Sequence, residues 1–156
     1  VSTKDDDKRL LEADPGAVDF TGKDLSGASF GRANLAGAKL ARANLRGAFF
    51  TRADLSGVDF SGADLTYANL AEANLAGANL AGANLLGSEC RKANFAGADL
   101  TGANLKESTL AEANLAGANL TKANLTGSIV MRAKIDTNTI CPDWSTTIGS
   151  DMLERL

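Results

Sequence analysis

The sequence predicts an all-β solenoid. A five-residue frame and a shortage of bulky side chains carry that prediction. Read in steps of five from Phe20 to Ile140, 25 consecutive positions hold 16 Leu, 5 Phe, Cys90, Val130, Ile135 and Ile140. Two residues before each centre stands a small residue, with 18 Ala and 3 Ser among the 25, the exceptions being Val18, Lys23, Val58 and Asn138. The 156-residue chain has only 5% aromatic residues, so its apolar 44% is built mainly from Ala and Leu. Self-similarity of this kind marks a repeat architecture.

A period of five suits neither standard element. On a helix, Leu every five residues would spread over all faces; on an unbroken strand an odd period would flip it from side to side. Both conflicts disappear if the chain turns a corner after every pentapeptide. The centre Leu and the Ala two before it then point inward, and the residue between them and the two after point outward. Ala is small because several such side chains converge on one crowded axis. The residue between is Asn or Asp in 17 of 25 cases, and the second residue after the centre is Gly in 13. Both types suit corners, since they tolerate turn conformations and bond locally to backbone.

These segments, such as Ala-Asn-Leu-Ala-Gly at 73–77, 78–82 and 113–117, resemble the pentapeptide-repeat family over about residues 18–140. The resemblance implies a right-handed quadrilateral parallel β-helix with four pentapeptides per coil. Residues 18–140 then make about six coils, a rod on the order of 30 Å long. A solenoid of this kind needs its ends covered, so residues 1–17 are expected to form an N-terminal helical cap and 141–156 a C-terminal cap. Thr3 suits the N-cap of a helix over Lys4–Ala13, with Asp5, Asp6 and Asp7 in its first turn. Pro15-Gly16 would end that helix, and Leu10 and Leu11 would cover the first coil. At the other end the frame is expected to break after Ile140, with a short terminal segment Asp151–Leu156 and with Trp144, Met152 and Leu153 as the lid.

Several kinds of chemistry are excluded. The chain has no His and two Cys, so it builds no His-based triad, no His-bearing or four-thiolate zinc site and no disulfide framework. No cofactor, metal or small-molecule substrate site is expected, and no run reaches the roughly 18 apolar residues of a membrane span. Asp19, Asp59 and Asp99 recur along one face and Asp24 and Asp64 along another. Their spacing is roughly 10 Å on a wall without a pocket, which fits corner chemistry and not a glycosidase pair. Cys90 takes a core slot. Cys141 is expected to point outward, too far from Cys90 for a disulfide.

Four pentapeptides per coil would stack residues twenty apart, so the faces can be compared. One column of second post-centre positions reads Arg32, Arg52, Glu72, Lys92, Glu112 and Arg132. From Arg52 to Arg132 the sign alternates, an ion-pair ladder or a docking strip. Another face carries Ala76-Gly77 and Ala96-Gly97 beside a column of Asn34, Asp54, Asn74, Asn94 and Asn114. It is expected to be flat and nearly uncharged, and flat surfaces with little side-chain entropy to lose dock at low cost. Phe49, Leu86, Met131 and Tyr67 are candidate exposed contacts, and Lys23 is expected to reach out at the first coil's open end.

The expected function is a non-catalytic structural or protein-interaction module that binds a protein partner and no nucleic acid. Some members of the family it resembles mimic DNA and bind DNA gyrase, which needs an anionic rod. Here the net charge of −3 divides into +1 over residues 19–140 and −2 on each flanking segment, so that reading is the alternative. The chain starts at Val1 without Met or a hydrophobic leader, which suits removal of a targeting segment or a recombinant form. Its plan is similar to members from oxygenic phototrophs. The resemblance implies a photosynthetic membrane complex as partner and the thylakoid lumen as compartment, with cyanobacterial cytoplasm or periplasm second.

Overall fold

A computed structural model describes residues 15–142. Each pentapeptide repeats one set of backbone bonds. In the segment around Leu25, the Leu25 N–H donates to Asn44 O at 2.7 Å and the Gly27 N–H to Arg46 O at 2.8 Å. The Ala28 N–H returns to Leu25 O at 3.0 Å. That last bond closes a four-residue turn whose third residue, Gly27, has φ +66°, the pattern of a type II turn. The sequence therefore turns a corner every five residues because a positive-φ position recurs every five residues.

The corners stack. Asp19 bridges Lys39 in parallel, Lys39 bridges Asp59, and Asp24, Ser29 and Asn34 start three further ladders with the same twenty-residue spacing. The result is a β-helix solenoid made of single-residue bridges. Its core is the centre column and the small residue before it: Leu35, Leu55, Leu75 and Phe95 are fully buried, as are Ala38, Ala48 and Ala68. Phe30 and Phe50 stack with ring centroids 5.1 Å apart, and Phe50 meets Phe60 edge-on at 5.9 Å. Ser108 and Ser128 replace Ala in the core and remain satisfied, each Oγ donating to the preceding centre carbonyl (Leu105 and Leu125) at 2.7 Å. Phe20 and Leu25, in the first layer, are half-buried.

The five-residue frame does not run to Ile140. Asn114 bridges Lys134 at the usual spacing, but Asn119 bridges Ile140, twenty-one residues on. One residue has been added between Ile135 and Ile140. Ile140 consequently lies outside over Asn119 and is exposed, and the Leu120 N–H donates to its carbonyl at 2.7 Å. Cys141, expected to point outward, takes the centre position of that column and is half-buried; both cysteines are free.

Side chains make the extra residue possible. Gly117 N–H would donate to a backbone carbonyl in a regular layer, as Gly97 N–H does to Ala116 O. It donates instead to Asp136 Oδ1 at 2.8 Å and Thr139 Oγ1 at 3.1 Å, while the Thr139 hydroxyl donates to Leu115 O at 3.0 Å. The remaining outward expectations also need correction in places: Thr66 and Ala111 are buried and Leu86 is half-buried. The helix expected over Lys4–Ala13 and the lid residues Trp144, Met152 and Leu153 lie outside the described residues, which begin with a 3-10 turn, Pro15–Ala17.

Candidate interaction faces

Every second post-centre position from Gly22 to Arg132 has a left-handed backbone. Thirteen are Gly, and the other ten are Arg32, Arg42, Arg52, Tyr67, Glu72, Lys92, Glu107, Glu112, Lys122 and Arg132, with φ between 56° and 62°. Nine of these ten are charged and none is Asn or Asp, the non-glycine residues that tolerate this region best. Their distribution is uneven. The column Gly37, Gly57, Gly77, Gly97, Gly117 is glycine throughout, whereas Arg32, Arg52, Glu72, Lys92, Glu112 and Arg132 include none.

The charged column is a ladder with gaps. Arg52 Nε donates to Glu72 Oε2 at 2.8 Å, and Lys92 Nζ lies 3.7 Å from Glu112 Oε2. Arg91 reaches the same Glu112 at 3.9 Å. Among the described residues no ion pair joins Glu72 to Lys92 or Glu112 to Arg132. The hydrogen bond from Arg52, and then its charge, hold the Glu72 carboxyl below its ordinary pKa. Exposed pairs contribute about 0–1 kcal/mol each. A left-handed backbone costs a non-glycine residue roughly 1–2 kcal/mol. Six such residues cost more than two ion pairs return, so stability does not explain this column.

This face also holds the exposed apolar side chains Phe49, Ile129 and Met131, with Tyr67 at its edge. Ile129 was not anticipated, although Ile in an Asn/Asp slot is the signal. Arg32, Arg52, Arg91, Lys92 and Arg132 against Glu72, Glu89 and Glu112 give the face a net charge of +2.

The flat face is built differently. Asn74 Nδ2 donates to Asp54 Oδ1 at 3.1 Å, Asn94 to Asn74 at 3.0 Å and Asn114 to Asn94 at 2.9 Å. Each of these acceptors also takes the N–H two residues on, from Ser56, Ala76 and Ala96, and Asn34 takes that of Ala36. Burial alone would raise the Asp54 carboxyl, but hydrogen bonds from Ser56 and Asn74 outweigh it and lower its pKa. The polar groups of this face are thus largely engaged with one another. Around Gly57, Gly77 and Gly97 there is open space, while Gly16 approaches Gly37 at the first layer.

The recurring aspartates hold corners. Asp19, Asp59 and Asp99 accept the N–H of Thr21, Ser61 and Thr101 at 2.9–3.0 Å. Asp24 and Asp64 accept those of Ser26 and Thr66, and Arg46 pairs with Asp64 at 3.4 Å. Burial pushes the Cys90 thiol up to about 12, against a lowering contribution from Ser88. Among the described residues no cluster of three or more His, Cys, Asp or Glu could hold a metal ion, and no helix is long and apolar enough to cross a membrane.

The family model for pentapeptide repeats matches residues 17–52, 53–88 and 88–127, with 8 copies. Among solved structures the chain is similar to HetL, a pentapeptide repeat protein involved in heterocyst differentiation regulation in the cyanobacterium Nostoc sp. strain PCC 7120. The identity is 36% and the TM-score 0.51, over 74% of this chain and 56% of HetL, so the chain spans little more than half of that relative. A pentapeptide repeat protein of the Arabidopsis thaliana thylakoid lumen is 35% identical, covering 75% of this chain and 73% of its own, with a TM-score of 0.23. QnrB1, a plasmid-mediated fluoroquinolone resistance protein, is 18% identical at TM-score 0.35, over 78% of this chain and 91% of its own. A search of curated proteins found no match. Repeat frame, stacked corners and matched profile agree, and the chain belongs to the pentapeptide repeat family.

Proposed function

We propose that this chain is a non-catalytic protein-interaction module that docks through the charged face running from Arg32 to Arg132. The observation that carries the reading is the left-handed backbone at all six ladder positions. Charged side chains stand there at a cost that local ion pairs do not recover, and backbone strain of this kind collects at functional sites. The flat face of Asn34, Asp54, Ala76, Gly77, Asn94, Gly97 and Asn114 is the second docking surface. It ranks lower because its amides are already bonded along the ladder.

The architecture proposed with this function is a right-handed quadrilateral β-helix of about six coils, with caps at both ends. The proposed partner is a protein of a photosynthetic membrane complex, in the thylakoid lumen or, second, in cyanobacterial cytoplasm or periplasm. The sequence plan and the likeness to a cyanobacterial regulatory protein support a phototroph setting. Gyrase binding by DNA mimicry is the alternative; the net charge of +1 over residues 19–140 argues against it, because a phosphate mimic must be anionic.

Native electrophoresis of solubilised thylakoid membranes tests the docking reading. The expected result is co-migration of the chain with a complex, lost on Arg52→Glu with Lys92→Glu and kept on Ala76→Arg. Recovery of free monomer alone would overturn it, and inhibition of gyrase supercoiling would establish the alternative.

A further inference from the structure

Four large apolar side chains stand exposed on the charged face or at its edge, and they fall into two pairs. Phe49 and Tyr67, 51% and 62% exposed, lie toward its start; Ile129 and Met131, 51% and 56% exposed, lie at its end. Phe49 and Ile129 belong to one ladder, Phe49–Asn69–Glu89–Thr109–Ile129, whose middle members are polar and half-buried. Four layer steps separate the two, roughly 19 Å at the usual interstrand spacing. The charges run the length of the same face. Arg32 and Arg132, at its two ends, are exposed and have no ion pair among the described residues. In the middle Arg91 and Lys92 share the single carboxylate of Glu112, at 3.9 and 3.7 Å. Glu72 is engaged by Arg52 at 2.8 Å, and Glu89 Oε1 accepts the Arg91 N–H at 3.1 Å. Surplus positive charge therefore stands near the start, the middle and the end.

This wall offers side chains and no backbone. The Phe49 N–H donates to Ala28 O at 2.9 Å, and its carbonyl takes the Phe30 N–H at 2.7 Å. Ile129 is bonded in the same way to Ser108 and Leu110, and Asn69, Glu89 and Thr109 are likewise bonded on both sides. An extended peptide laid here would find no open sheet edge to join. A helix arrives with its own backbone bonds closed and reads a surface through side chains. We infer, resting on the docking reading above, that the partner presents an acidic amphipathic α-helix lying along the stack. At about 1.5 Å per residue, roughly 19 Å corresponds to about 13 residues. One apolar pair of that helix meets Phe49 and Tyr67, and a second pair, about three to four turns on, meets Ile129 and Met131. Its carboxylates face Arg32, the neighbouring Arg91 and Lys92, and Arg132. The apolar pairs are the anchors, while the charges set orientation and encounter rate.

Photo-crosslinking tests this geometry. The full chain, carrying benzoylphenylalanine in place of Phe49 or of Ile129, is irradiated with solubilised thylakoid membranes, and the attachment sites are mapped by mass spectrometry. Both positions are expected to attach to one partner segment of net negative charge, at sites about 11–14 residues apart. Phe49→Asn and Ile129→Asn install the residue that the same ladder carries at Asn69, so circular dichroism should keep the repeat intact. Each should weaken binding of the attached segment, made as a synthetic peptide, by about tenfold. Sites about six residues apart would mean an extended strand, and sites in unconnected or basic segments a different surface; each overturns the inference. A complex that loses the chain on Arg52→Glu with Lys92→Glu, yet keeps it on Phe49→Asn with Ile129→Asn, overturns the inference and leaves the docking reading standing. Co-migration without an adduct at either position does the same. Free monomer alone, with no adduct, overturns both.

Discussion

The ring of Tyr67 rests against Gly87, one layer along the stack. A Cβ placed on Gly87 would stand 2.5 Å from Tyr67 Cε1 and 2.6 Å from Cδ1. Both residues have a left-handed backbone, at φ 57° and 62°, so the missing side chain of one makes room for the ring of the other. Gly77 has a similar φ, with nothing within 4 Å of its would-be Cβ. Gly77→Ala is expected to cost the conformational penalty alone, roughly 1–2 kcal/mol. Gly87→Ala should cost about 1 kcal/mol more, because the ring must also move. The excess should vanish in a Tyr67→Gly background. Equal melting shifts for both alanine variants would show that the ring contact contributes nothing.

The ladder strain makes an unusual forecast, that truncating an arginine stabilises the protein. Arg132→Gly removes no ion pair of the described residues and should raise stability by about 1 kcal/mol in denaturant unfolding. Arg52→Gly should gain less, since the solvent-screened pair with Glu72 is lost with it. A variant more stable than the parent but unable to dock on the partner proposed above would separate the two demands on this column.

Asp136 gives the last layer a pH dependence. Hydrogen bonds from the Gly117 N–H, then the Thr139 side chain, hold its carboxyl below the ordinary pKa. A lowered pKa in the folded state means that the contribution is present above the unfolded-state pKa and disappears as pH falls through the folded one. The protection of the Gly117 amide, its exchange rate divided into the intrinsic rate at the same pH, should therefore be high at neutral pH and fall as pH drops through the lowered carboxyl pKa. In Asp136→Asn the protection should be smaller at neutral pH and lose most of that acid response. An identical acid response in both proteins would remove Asp136 from the account.

Cys90 should behave as an inert core residue. It is fully buried, and its thiol is pushed up to about 12, so almost no thiolate is present at mildly alkaline pH. A thiol reagent is expected to modify Cys141 alone in the native protein and Cys90 only after unfolding. Rapid labelling of both would mean that the stack opens at its middle.

Leu35, Leu40 and Leu45 announce their burial because every layer repeats one demand, and side-chain type alone meets it. Ile140 misleads for the same reason. It is an acceptable centre residue in the expected frame, and the added residue shows only in the side-chain bonds of Asp136 and Thr139 across the stack. The charge alternation from Arg52 to Arg132 is equally plain in sequence. Which pairs close is not, since long side chains choose among neighbours, as Arg91 does with Glu112 and Arg46 with Asp64. The glycines at second post-centre positions hinted at a left-handed backbone throughout. That hint covers Tyr67 and the ladder residues too, but glycine frequency alone does not reveal that they share its conformation.

The extra residue before Ile140 bears on how such a stack tolerates change. A level that gains one residue need not displace what comes after it: Ile140 still takes the bridging place over Asn119 and Cys141 the centre place beside it, so the surplus is absorbed within one corner. The burden falls on the Gly117 N–H, whose usual carbonyl partner is replaced by the side chains of Asp136 and Thr139. An insertion is thus survivable wherever a polar side chain stands ready to take over the backbone bond that the corner gives up.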